Sequence, residues 1–248
     1  TGFSLTKVGQ EFQDNIIYQD ESNYCYIAVR QLSQYPDERQ FIQDNLTNHS
    51  RMIMGQIENL KLSYCRIFAG LMHMLAEQKQ APKTMIIGGG GYVFPRYVNK
   101  FWPESEIEVV EIDPGVTKAA YKAFGLDKNS DIKTVNMDGR NYIDKLSRDK
   151  EKALGYDFIF EDAFGGGTVP FQLVTKEFND KVYKLLSDDG IYVVNVVELL
   201  DSGKFIGSVL NTLQKTFQYI YITSENMPSK MTHNIIVVAC KNPLHIEK

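Results

Sequence analysis

Four short clusters carry the residues whose types and spacing could do chemistry. Gly88, Gly89, Gly90 and Gly91 stand together directly after the apolar stretch at 84–87. Glycines let a backbone turn tightly and approach a ligand with no Cβ in the way. Glu111 ends the next apolar stretch, 107–112, about 20 residues beyond the glycines. Nucleoside-binding α/β proteins place an acid there against the ribose hydroxyls. The match is chemical: a carboxylate only accepts hydrogen bonds, and a diol offers two donors. Two residues on, Asp113-Pro114 reads as a helix cap, with Asp at the cap and Pro in the first turn. Asp138-Gly139-Arg140 follows a third apolar stretch. An acid there can accept from the amino group of an adenine, or can cap the next helix. Asp162, in Glu161-Asp162-Ala163-Phe164-Gly165-Gly166-Gly167, follows a fourth. A carboxylate at that strand tip can take a proton from an amine or hold a cationic acceptor. Glu161 could add negative potential unless it points into the sheet, and the glycines read as a loop closing over the site.

The elements that must position these residues follow from periodicity. Segments 84–87, 107–112, 131–135, 157–160 and 191–197 read as strands, with helices through Phe124, over 173–186 and over 204–216. Alternation of this kind implies a parallel sheet covered on both faces. Asp189-Gly190 reads as the end of the second of those helices. Segments 219–223 and 235–240 have no helix between them and read as an antiparallel pair at one edge. Earlier, 24–30 reads as a strand paired with 40–42 through Tyr35-Pro36-Asp37. Ile57, Leu60, Tyr64, Phe68, Leu71 and Leu75 have helical spacing over 55–79. The expected organisation is an N-terminal antiparallel β unit at 1–54 and a doubly wound nucleoside-binding domain at 55–248.

Bulk properties narrow the partners. The formal net charge is −4 with Lys and Arg scattered, which argues against a nucleic-acid partner, since phosphate binding needs a basic face. No apolar run reaches the roughly 20 residues of a membrane span. The three cysteines lie far apart without metal spacing, and His49, His73, His233 and His245 form no ligand pattern, so no metal is expected. A reducing, cytoplasmic setting fits this cysteine usage. Trp102 reads as a packing residue.

The four clusters together resemble the spermidine synthase family and its class I methyltransferase-like relatives. Ile86-Ile87-Gly88-Gly89-Gly90 is similar to the family's first loop. Val110-Glu111-Ile112-Asp113-Pro114 is similar to its ribose-binding strand end, Asp138-Gly139-Arg140 to its adenine-side motif, and Asp162 falls at its catalytic aspartate. Ser22-Asn23-Tyr24 is similar to its N-terminal β segment. The resemblance implies a Rossmann-like, mostly parallel seven-stranded sheet and a homodimer. It also implies transfer of an aminopropyl group from decarboxylated S-adenosylmethionine to a small-molecule amine acceptor, leaving methylthioadenosine. Gly88, Gly89, Gly90, Glu111, Ile112, Asp138, Gly139 and Asp162 would bind the donor, with Asp162 as the catalytic base.

The departures point the other way. Gly91 stands where the family keeps an acid for the aminopropyl amine, and Gly165 where it keeps a second loop acid. Cys25 replaces a Gln, Tyr64-Cys65-Arg66 replaces Tyr-His-Glu, and Glu225-Asn226-Met227-Pro228 offers no Tyr to the acceptor. A polyamine carries two or more charges and needs several carboxylates. The alternatives are a methyltransferase using S-adenosylmethionine itself, or a nucleoside-binding homologue without catalysis.

Overall fold

The computed structural model describes residues 15–32, 38–44, 46–76, 79–149, 155–164, 169–199, 203–224 and 232–244. Two sheets organise them. The first is antiparallel and runs in chain order: β1 (Ile16–Glu21), β2 (Tyr26–Gln31), β3 (Glu38–Gln43) and β4 (Leu46–Ile53). β1 alternates half-buried and exposed residues, as a strand with one wet face does. Ala28 pairs with Ile42 and Val29 with Phe41, the pairing expected of 24–30 with 40–42. The Tyr35-Pro36-Asp37 turn lies outside the described residues.

The second sheet holds β5 (Thr84–Ile87), β6 (Ile107–Glu111), β7 (Ile132–Asn136), β8 (Tyr156–Glu161), β9 (Leu186–Leu199), β10 (Tyr219–Ser224) and β11 (Thr232–Cys240), in the order β10-β11-β9-β8-β5-β6-β7. Strands β9, β8, β5, β6 and β7 are parallel, and β11 is antiparallel to both β9 and β10. This is the doubly wound, mostly parallel seven-stranded sheet expected, with its antiparallel pair at one edge. Every residue of β5 and β6 is buried, as in strands covered on both faces. Glu108 and Glu111 are the charged residues of β6; Glu108 lies within the sheet. Burial opposes its charge, but Lys133 and the hydroxyls of Tyr142 and Tyr156, at 2.6 and 2.7 Å, outweigh that and hold the carboxyl below its usual range.

The helices are α1 (Ser63–Leu75), α2 (Val93–Phe101), α3 (Pro114–Ala123), α4 (Gly139–Arg148), α5 (Lys176–Leu185) and α6 (Lys204–Leu213). Three boundaries differ from the sequence expectation. Helix α1 starts at Ser63 rather than near 55, because Gly55 takes φ +82 and the chain turns through 56–60. The Arg66 guanidinium donates to the Leu60 and Lys61 carbonyls at 3.1 and 3.0 Å, satisfying that turn. Helix α5 starts after Thr175, whose hydroxyl accepts from the Phe178 N–H, so 171–173 forms a separate 3₁₀ turn. Strand β9 begins at Leu186, and Asp189-Gly190 ends no helix: the pairing slips between Tyr156 and Phe158. A Cβ at Gly190 would lie 2.5 Å from the Tyr156 carbonyl oxygen.

One apolar cluster joins the small sheet to one face of the large sheet, with Ile27, Phe41, Phe68, Phe94, Phe124 and Phe160 in contact. Each buried Phe contributes about 1.5–3 kcal/mol. The opposite face packs Tyr142, Phe178, Leu185, Tyr192 and Val237. Trp102 lies against His73, with ring centroids 4.8 Å apart, and His73 Nε2 meets the Tyr97 hydroxyl at 2.9 Å. Both are packing residues. No described helix is long and apolar enough to cross a membrane.

Candidate active site

The strand order reverses between β5 and β8, which is where open α/β sheets form their ligand crevice. A cavity of about 680 Å³ opens there, at the C-terminal ends of β5, β6 and β8. All eight residues singled out from the sequence line it: Gly88, Gly89, Gly90, Glu111, Ile112, Asp138, Gly139 and Asp162. No group of described residues could hold a metal ion.

Gly88 sits at φ +102, and a Cβ there would lie 2.5 Å from the Asp162 carbonyl oxygen. The Asp162 N–H donates to the Ile87 carbonyl at 2.8 Å. The two loops are thus in direct backbone contact, and only glycine fits. Beside them, the Glu111 carboxylate accepts from the Gly89 N–H at 2.7 Å and the Asp113 N–H at 2.9 Å. Burial raises the Glu111 carboxyl above its usual range, opposed by N–H groups of Asp113, Gly89 and Gly90. Beyond those bonds the carboxylate keeps acceptor capacity for a ligand. Asp113 is the expected cap of α3: its carboxylate accepts from the Gly115 N–H at 2.7 Å. Its other oxygen accepts from the Ser22 hydroxyl at 2.5 Å, so the N-terminal sheet braces this loop.

Ile112 is 39% exposed at the cavity edge. Asp138 caps α4, accepting from the Asn141 N–H at 2.9 Å, and also faces the cavity. Capping consumes one oxygen and leaves the other available to a ligand. A Cβ at Gly139 already lies 2.7 Å from the Ile87 side chain, so a larger residue there would crowd the strand tip.

Asp162 is half-buried, and burial pushes its carboxyl up to about 7. Two neighbours stabilise the ionised form against that: the Asn195 amide donates to Oδ1 at 2.8 Å, and Tyr64 is also hydrogen-bonded to it. Glu161 is fully buried, points away from the cavity and meets the Tyr192 hydroxyl. Its side chain stays off the cavity wall, because strand alternation sends neighbouring side chains to opposite faces, and the two carboxyls interact only through space. Burial lifts its carboxyl to about 8. A carboxyl raised on folding is worth most to the fold at low pH, and that worth is lost as pH climbs through the folded value. Glu161→Gln is therefore expected to match the parent in melting temperature near pH 4, to exceed it increasingly as pH rises from the unfolded value of 4.5 towards about 8, and to keep that advantage at pH 9, in thermal scans across that range.

Sequence reading missed three contributors. Asn195 is 1% exposed in the middle of β9, and a lone amide inside the apolar run 191–197 was the available signal. Asn234 on β11 lies behind it, donating to the Asn195 oxygen at 2.9 Å. Ser50 on β4 accepts from the Gly91 N–H at 3.0 Å, which no local pattern announces. Gly91 itself has no room for an acid: a Cβ would lie 2.5 Å from the ring of Phe124, which is fully buried and packed edge-on against Phe41. Gly91→Asp is expected to lower stability by about 1–3 kcal/mol, read as a fall in melting temperature. The Gly165–Thr168 and Glu225–Pro228 segments lie outside the described residues.

Comparison with known proteins identifies the chain's relatives and its fold. A probable polyamine aminopropyl transferase of Bifidobacterium longum is 28% identical over 89% of this chain and 44% of its own length. A human eEF1A lysine and N-terminal methyltransferase is 31% identical over 56% of this chain and 20% of its own. The chain thus spans less than half the length of either relative. The crystal structure of a probable spermidine synthase from Corynebacterium glutamicum superposes with a TM-score of 0.81 at 21% identity, covering 92% of this chain and 81% of that one. The family model for the spermine/spermidine synthase domain matches residues 67–247. From the glycine turn at the end of β5 to the closing strand β11, this chain belongs to the spermine/spermidine synthase domain family.

Proposed function

We propose that the chain is a transferase that moves an alkyl group from an adenosylmethionine-type donor to an amine. The observation that carries the reading is Glu111 and Asp138 lining one crevice whose Gly88 turn abuts the backbone of Asp162. The residues fit such a donor. Glu111 would accept from the ribose hydroxyls, Asp138 from the adenine amino group, and the glycines would let the sugar approach the strand ends. Gly139 keeps the purine side of the crevice open.

A donor of this class supplies a carbon bonded to a positively charged sulfur. As the acceptor nitrogen's lone pair forms the new C–N bond, the C–S electron pair returns to sulfur, which leaves as a neutral thioether. Asp162 takes the proton released by the nitrogen. A carboxyl near 7 suits that task, since a base works best when its acidity matches the operating pH. Tyr64 and Asn195 hold it in place by hydrogen bonds. Most of the acceleration should come from holding nitrogen, carbon and sulfur in line.

Aminopropyl transfer from decarboxylated S-adenosylmethionine is the reading the family match supports. A second reading, methyl transfer from S-adenosylmethionine, is favoured by one observation: Phe124 closes position 91 to the acid that would hold an aminopropyl ammonium. Calorimetric titration with both donors, followed by mass analysis of product, decides between them. Methylthioadenosine marks the first and S-adenosylhomocysteine the second. If neither donor binds, the chain is not a transferase of this class.

A further inference from the structure

Behind Asp162 lies a feature that the chemistry above does not require. Asn195 reaches from β9 and Asn234 from the neighbouring β11, two residues apart along the antiparallel register and therefore on one face of the sheet. Asn234 Nδ2 donates to Asn195 Oδ1 at 2.9 Å, and Asn195 Nδ2 donates to Asp162 Oδ1 at 2.8 Å. Both amides also line the cavity. The other groups at Asp162 are Tyr64 and Cys65 on α1 and Glu161 on β8. Glu161 faces the opposite side of the sheet and burial keeps it neutral, and burial likewise raises the Cys65 thiol. Tyr64 has its hydroxyl raised well above the ordinary value, first by burial and then by Asp162 itself. None of these neighbours brings a positive charge to Asp162.

An amide pair of this kind has a direction. With nitrogen toward Asp162, Asn195 can only donate, which favours the carboxylate. Turned over, it would present oxygen, which only a protonated carboxyl can satisfy. We infer that Asn234 is a positioning residue for Asp162, setting which form of the carboxyl is favoured through the orientation of the Asn195 amide. This rests on Asp162 being the base, but the relay itself does not need turnover to be seen.

The test is Asn234→Asp, read by infrared titration of the Asp162 carboxyl, with Asp162→Asn subtracted to assign the band. A carboxylate at 234 only accepts, so it turns the Asn195 nitrogen toward itself and the oxygen toward Asp162. The Asp162 midpoint is expected to rise by at least one pH unit, so the ratio of protonated to ionised carboxyl at a given pH rises about tenfold. The new charge also acts directly through space, so the same change is made with Asn195→Leu, or Asn195→Ala if Leu does not fold. A rise that shrinks by half or more without the Asn195 amide supports the relay. A rise of the same size without it, or no rise at all, overturns the relay. Because the readout is the carboxyl band, failure of the relay is separate from failure of the transferase reading, which shows as absent donor binding. Where turnover is measurable, the acid limb of the pH–rate profile should shift by the same amount.

Discussion

Asp162→Asn should lower turnover by at least about 100-fold and leave donor affinity within a few-fold. General base catalysis by a placed carboxylate contributes about 10²–10⁴ in rate, and an amide of the same shape cannot accept the acceptor's proton. Affinity is retained because Asp162 meets the crevice wall through its backbone: its N–H bonds to Ile87 and its carbonyl abuts Gly88. The pH dependence has a definite sign. The working form is the carboxylate, and burial sets its midpoint at about 7. Turnover should therefore rise through pH 7 and fall tenfold per unit below it, a limb that Asp162→Asn abolishes. Single-turnover rates between pH 5 and 9 check this. An unchanged rate in the Asn variant would reduce Asp162 to a loop residue.

Glu111 governs the other half of the site. Two charge-assisted hydrogen bonds to a ribose are worth about 1.5–3 kcal/mol each, so their loss should weaken donor binding by at least about 100-fold. Glu111→Gln is the cleaner variant. It keeps an oxygen for the Gly89 N–H and leaves only the Asp113 N–H without an acceptor, whereas Glu111→Ala leaves the buried N–H groups of both Gly89 and Asp113 unpaired and costs more stability. Calorimetry with either donor measures the loss, with the melting temperature as the control. Retained affinity in the Gln variant would place the sugar elsewhere.

What the sequence made legible and what it hid divide along a physical line. The glycine turn, Glu111, Asp138 and Asp162 each follow directly on an apolar strand, and strand-end position is a local property that periodicity exposes. The Asp113 cap was equally local. What stayed hidden depends on contacts between distant segments. Ser50 and Gly91 meet across 41 positions of chain, and Asn195 and Asn234 are joined only because β11 inserts between β9 and β10. Glu161 and Asp162 are adjacent and chemically alike, yet they serve opposite faces of the sheet. Apolar spacing alone ran helix α1 back to 55, because it registers which residues are buried and not the backbone turn that Gly55 introduces.

The bonds from Ser22 to Asp113 and from Ser50 to Gly91 have an evolutionary consequence. The strand ends are gripped by a piece of chain that carries neither the glycines nor the acids. Mutations in that piece can shift the loops at the strand ends while every strand-end motif stays intact. Homologues with indistinguishable motifs can then differ in the shape of the crevice, and chimaeras exchanging only the small sheet offer a direct route to retuning it.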